Sequence, residues 1–256
     1  MRFVPVLILC FWSLPLRLFG QLNESDTLAL QYRAALGGNL QTGNVQSLTL
    51  TARLDFSVAP GGRWAFKTQN TSRYQAFFDR KADNDFSSRN FLYAGPQHRV
   101  YPFWMAFVST NFRRKIDFRY FTGPGVTWQV LRRPKQVFKI SLSGVYESTD
   151  FAGQAYNYPE YDGRENISTW RATMWIFGQH TLLPRRLNLY YEAYIQPSLE
   201  DAHNFRWMLD STLELPLWKG LSFQVHYQYS REQVVVTSVK SDDSILSFGI
   251  SFRNHP

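Results

Sequence analysis

The sequence predicts an all-β chain, an antiparallel transmembrane β-barrel of twelve strands, with ten or fourteen as the alternatives. Three observations predict it. Apolar and polar residues alternate with period two in segments that recur about every twenty residues. Aromatic residues make up 17% of the chain, yet its mean hydropathy is only −0.32. After the first twenty residues no stretch is apolar enough to cross a bilayer as a helix. A membrane barrel accounts for all three, because it places apolar residues at every second position.

The first twenty residues read as a secretory signal peptide. Arg2 supplies a positive start, "VPVLILCFWSLPL" is a short apolar core, and "RLFGQ" suggests cleavage after Gly20. An uncleaved anchor is the alternative. Residues 21–27 then form a short periplasmic segment, 28–252 the barrel and 253–256 a tail. The only cysteine, Cys10, lies inside the leader. The exported chain therefore has no disulfide, thiolate zinc site or catalytic thiol. The formal charge is +8, and removal of Arg2 and Arg17 leaves +6. Such a basic exported surface suits anionic lipid and lipopolysaccharide, and no motif that reads nucleic acid is present.

The strands follow in order. Leu28, Leu30, Tyr32, Ala34 and Leu36 share one face of the first, which a "QTGN" turn ends. In the second, Leu48, Leu50, Ala52, Leu54, Phe56 and Val58 face one way. Ser47, Thr49, Thr51, Arg53, Asp55 and Ser57 face the other, and "APGG" breaks the strand. Ten further alternating segments continue from "RWAFKTQNTSRYQAFF" to "ILSFGISF". "APGG", "QHRVYP", "RRPK", "HTLLPRR" and "PLWKG" are short connectors. "DRKADND", "RRKI", "ESTDFAGQAYNYPEYDGREN", "SLEDAHN" and "REQVVVTSVKSDD" alternate with them and are mostly longer. Outer-membrane barrels pair short periplasmic turns with longer external loops in this way.

A soluble sandwich also alternates, so further signals are needed. Trp64, Trp104, Trp128, Trp170, Trp207, Tyr227 and Tyr229 sit near strand ends on the apolar face, as interfacial rings do. The strands are long enough for a tilted crossing. Leu48, Leu50, Leu54, Phe56, Phe223, Val225, Phe248 and Ile250 are expected to face lipid. Arg53, Asp55, Arg171, Glu192, Arg206, Asp210, Glu214 and His226 are expected to face the lumen. There they would form an arginine–carboxylate network that fills the barrel, with Arg206 and Asp210 as a candidate pair. A polar path for small solutes is the alternative.

No catalytic constellation emerges from the five histidines. His98 and His180 fall in expected periplasmic turns, His255 in the tail and His226 at mid-strand. His203 lies on an external loop beside Glu200 and Asp201, where "EDAH" reads better as a solvated loop than as a metal site. No cofactor or metal is expected. The tyrosine-rich loop between Glu147 and Asn166 is either a binding surface or a disordered cap. "RRPK" at the periplasmic rim suits lipid head groups or an acidic partner.

The stretch "ALGGNLQTGNVQSLTLTARLDF" resembles the start of the bacterial family numbered 481 among domains of unknown function, often labelled salt-induced outer-membrane protein. "GGRWAFKTQNTSRYQ" and the aromatic last strand are similar to that family as well. The resemblance covers about residues 28 to 252 and implies an outer-membrane location. It implies no established activity, so no functional residue is carried over. The expected role is a non-enzymatic outer-membrane barrel with a structural, envelope-stress or accessory function. A narrow passive channel is the alternative, and a lipid-modifying enzyme comes third. Expected partners are membrane lipid and lipopolysaccharide, the barrel-assembly machinery during biogenesis, and an envelope protein at the loops or turns.

Overall fold

The computed structural model describes residues 24–25, 29–42, 46–133, 135–183, 186–218 and 221–252. The expected leader (1–20) and tail (253–256) lie outside them. Twelve strands follow one another. The first six are β1 Leu30–Gln41, β2 Ser47–Val58, β3 Trp64–Phe77, β4 Arg80–Ala94, β5 Val100–Asn111 and β6 Ile116–Arg133. The rest are β7 Gln136–Phe151, β8 Asn166–Leu183, β9 Leu187–Pro197, β10 Phe205–Trp218, β11 Leu221–Glu232 and β12 Asp242–Phe252. They form one antiparallel sheet in which each strand pairs with its sequence neighbours. β1 and β12 stand at the two ends of this order, with no ladder between them among the described residues. The sheet is strongly curled all the same. Arg89 of β4 reaches Glu192 of β9 across the concave side at 2.9 Å.

The connectors at one end of the sheet are short: 59–63, 95–99, 134–135, 184–186 and 219–220. At the other end lie 42–46, 78–79, 112–115, 152–165, 198–204 and 233–241. We call these the turn end and the loop end. "DRKADND" was expected as a loop but is mostly strand. β3 and β4 join through Phe78 and Asp79 alone, at φ of 46° and 59°. A two-residue hairpin with a type I′ turn has positive φ at both positions, which costs a non-glycine residue about 1–2 kcal/mol. The preceding loop supports the turn: Phe78 N donates to Gln46 O at 2.9 Å, and Gln46 Nε2 donates to Asp79 Oδ1 at 3.0 Å.

Alternation sets the two faces. Leu48, Leu50, Leu54 and Phe56 are on the convex face of β2, and Asp55 and Ser57 are buried on its concave face. Phe223 and Val225 of β11 also hold convex positions, opposite Ile250 and Phe248 of β12. The side chains of Phe248 and Ile250, like that of Arg53, lie outside the described part. Large apolar side chains remain about half exposed on the convex face, among them Leu50 at 50% and Trp104 at 53%.

The concave face is less polar than the sequence pattern implies. Phe91, Tyr93, Tyr101, Phe103, Met105, Phe121 and Val145 form a buried cluster across the interior. Their segments, "NFLYAG" and "YPFWMAF", are apolar at odd and even positions alike, so alternation carries no facing signal there. Gly125 makes room for this layer. A Cβ on it would stand 2.3 Å from Phe103 Cζ.

Candidate functional site: the arginine-rich interior

Three layers fill the interior from the turn end to the loop end. At the turn end two residues of the N-terminal segment enter the sheet. Tyr101 OH donates to Glu24 Oε1 at 2.7 Å, and Lys139 Nζ donates to the same oxygen at 2.8 Å. Lys67 Nζ lies 3.4 Å from Glu24 Oε2. Arg132, from the "RRPK" run, donates to Ser25 O at 3.3 Å and to Gln97 O at 2.8 Å. Burial raises the Glu24 carboxyl pKa, but the two lysine charges and the donated hydrogen bonds overcome it. They hold the group well below the ordinary carboxylate range. Glu24 and Ser25, the described part of the expected short periplasmic segment 21–27, lie against the inner wall at the turn end. The aromatic cluster forms the middle layer, where Trp175 packs on Phe91 with ring centroids 5.8 Å apart.

The third layer is ionic. Glu147 accepts from Arg171 Nε at 3.0 Å and from Arg206 Nη2. Glu232 accepts from both terminal nitrogens of Arg119 and lies 3.5 Å from Arg114 Nη1. Four guanidiniums thus share two carboxylates, deep in the protein: Glu147 is 2% exposed and Arg206 4%. Neutral acceptors take up further donors. Arg171 donates to Gln196 O at 3.2 Å and to Asn204 O at 3.0 Å. Arg119 Nε donates to Thr149 Oγ1 at 3.0 Å, and Arg114 Nη2 to Ser230 Oγ at 2.8 Å.

A lid covers this layer at the loop end. The loop after β7 and the loop after β11 meet in an antiparallel bridge, Tyr156 to Val236. Asn157 fastens it, since its N donates to Val235 O at 3.0 Å and its Oδ1 accepts from Val235 N at 2.9 Å. Ile116, Phe151, Tyr156, Tyr161, Ile167, Val234 and Val236 are buried together beneath it. Tyr161 OH also donates to Asp201, and burial with this bond pushes its pKa up to about 12. Of the two readings of this loop, the disordered cap does not hold: the loop is ordered, because two loops supply one apolar cluster. His203 stands 3.4 Å from Asp201 and 3.6 Å from Glu160, while Glu200 turns toward Trp170 N. The trio of Glu160, Asp201 and His203 is at the surface and defines no metal site by itself.

Residues 34–253 match the family model described as "Protein of unknown function, DUF481". The chain belongs to the DUF481 family. Neither a curated protein nor a solved structure matches it.

In this DUF481 chain the sequence-derived inner residues fall into separate groups. Arg171 and Arg206 join the ionic layer, whereas Glu192 pairs with Arg89. Arg206 does not pair with Asp210, which instead lies 3.1 Å from His226 Nε2. Arg206 and Asp210 sit four residues apart on one strand, too far along it for the arginine to prefer Asp210 over Glu147 opposite. Glu214 is buried and accepts from Ser222 Oγ at 3.1 Å. Arg53 holds a concave register position opposite Ala35 and Thr71. His180, expected in a turn, lies on β8, with its ring stacked on Tyr191 at 5.6 Å. Sequence reasoning missed Arg114, Arg119, Glu147, Glu232, Lys139 and Glu24. Glu147 and Glu232 were assigned to loops because their strands run on past the last clear apolar alternation. A count of inward phase carried two residues further would have found both.

Proposed function

We propose that this DUF481 chain is a twelve-stranded transmembrane β-barrel of the bacterial outer membrane, exported through a cleaved leader, in which β1 closes against β12. The observation that carries this is the inversion of polarity across one curled sheet. Leucines, valines and tryptophans stand exposed on the convex face, while charged groups are buried and paired on the concave one. In water such a surface is unfavourable; in a bilayer it is the solvated face. Closure follows from the same setting, because an open sheet edge in hydrocarbon leaves backbone groups unpaired. β6 and β8, at 18 residues each, exceed the roughly 9–11 that a tilted crossing needs, so their loop ends stand in water.

The role is structural, envelope-stress or accessory, without catalysis or free transport. The Glu24 segment, the aromatic layer and the lid each obstruct the bore. The test is single-channel conductance of the refolded mature chain in a planar bilayer, with heat-modifiable gel mobility as the folding control. Silence from folded protein is expected. Discrete, reproducible steps would overturn the closed lumen and select the narrow passive channel.

A further inference from the structure

Beside the ionic layer, from the aromatic layer to the rim of the loop end, runs a cavity of about 350 Å³, within the size range of small-molecule sites. It reaches the rim at Arg113 and Asp243, whose side chains are 38% and 36% exposed. Seven arginines line it (73, 89, 113, 114, 119, 206 and 231) against three carboxylates, Asp85, Glu232 and Asp243, and Asp83, Glu147, Glu192 and Asp242 pair with five of the seven from outside the lining. We propose that this cavity binds a small organic anion, a phosphate or carboxylate joined to a ring or short apolar body.

Three observations converge on that chemistry. The first is charge. Arg114, Arg119, Arg171 and Arg206 each touch a carboxylate but share Glu147 and Glu232, which gives this layer a net excess of two positive charges. Buried charge in excess of its partners is unfavourable until an anion or water joins it. The second is a pair of orphan donors. Arg206 Nη1 and Trp175 Nε1 are both buried and donate to nothing, and both residues line the cavity. The approach of Glu232 Oε1 to Arg206 Nη1, 3.9 Å, is too long for a hydrogen bond. An indole N–H can only donate, so it requires an acceptor from outside the wall. The third is the rest of the lining. Phe107, Phe121, Tyr194 and Met208 give the cavity an apolar side, which a bare inorganic ion would leave unused. The wall carboxylates are already engaged. Asp85 accepts from Asn111 Nδ2 at 3.2 Å and from Phe112 N at 2.9 Å, and Asp243 pairs with Arg113 at 3.2 Å.

The test is calorimetric titration of the refolded mature chain in non-ionic micelles. Phenyl phosphate is the probe, and inorganic phosphate and phenol are its two halves. The expected result is saturable one-to-one binding of phenyl phosphate, weaker binding of phosphate and none of phenol. Affinity should fall as sodium chloride is raised. Arg206→Lys keeps the charge but removes the orphan nitrogen, and should weaken binding roughly tenfold. Trp175→Phe removes the other donor while keeping a ring, and should weaken it severalfold. If Arg206→Lys does not fold, Trp175→Phe decides. Phenyl phosphate binding no tighter than phenol, or wild-type affinity in every folded variant, overturns the proposal. Lipopolysaccharide added to the micelles separates the sources: displacement assigns the phosphate to the lipid leaflet, and its absence assigns it to a free solute.

Discussion

Replacing Glu24 by Gln removes the carboxylate that Lys139 and Lys67 both approach at the turn end. Lys139 is 4% exposed, so the lost charge is one that faced a buried ammonium group at 2.8 Å. Breaking one partner out of a buried ion pair costs about 3–5 kcal/mol, whereas removing both partners together is often close to neutral. The glutamine still accepts from Tyr101, so the loss reports charge rather than the hydrogen bond. Glu24→Gln should therefore lower unfolding stability in urea by about 3 kcal/mol or more at pH 7. The pair Glu24→Gln with Lys139→Met should recover a large share of that loss, with Lys139→Met alone completing the double-mutant cycle. The sign with pH follows from the depressed carboxyl. Its contribution is complete above the unfolded value of 4.5 and is lost as the pH falls through the lower folded value. The gap between wild type and Glu24→Gln should thus be widest near neutrality and shrink below about pH 4.5. A Glu24→Gln loss under 1 kcal/mol, or a gap that stays constant from pH 7 to pH 3, would refute a buried latch at this end.

Leu50→Arg, on the convex face of β2, should destabilise the chain in bilayers by about 2–4 kcal/mol, and Thr49→Arg on the concave face by clearly less. Equal losses in a folding titration from vesicles would reject the assigned facing. Gly125→Ala drives a methyl group into Phe103, and should cost about 1–3 kcal/mol through overpacking. Phe103→Leu in the same chain should return part of it, as read by urea unfolding. Val236→Asp places a charge in the apolar cluster of the lid. Trypsin should then cut at Arg164 in a chain that otherwise resists it, and an unchanged digestion pattern would argue against a closed lid.

The facing of β2 was legible in its sequence because every second residue from Leu48 to Val58 is apolar. Period two survives any error in neighbouring boundaries. The β3–β4 hairpin was not legible. Phe78 and Asp79 lack the Asn-Gly chemistry of a two-residue turn, and a run of charges reads as loop when both faces of the strand meet water. Phase also gives a residue its face but not its partner. Arg206 and Glu147 lie 59 positions apart and meet only because β7 and β10 face each other across the curl. Glu24 had no signal at all. A carboxylate in a short segment before the first strand looks solvated until Lys67, Tyr101 and Lys139 are brought to one point by three different strands.

The lid ties the loop after β7 to the loop after β11, a segment made much later in the chain. Tyr156 and Tyr161 therefore stay uncovered until the C-terminal hairpin has formed. A chain that lacks the segment after β11 leaves these rings, and Arg171 and Arg206 beneath them, without the cover that Val234 and Val236 provide. The lid is thus a contact that only a chain folded through its last hairpin can make.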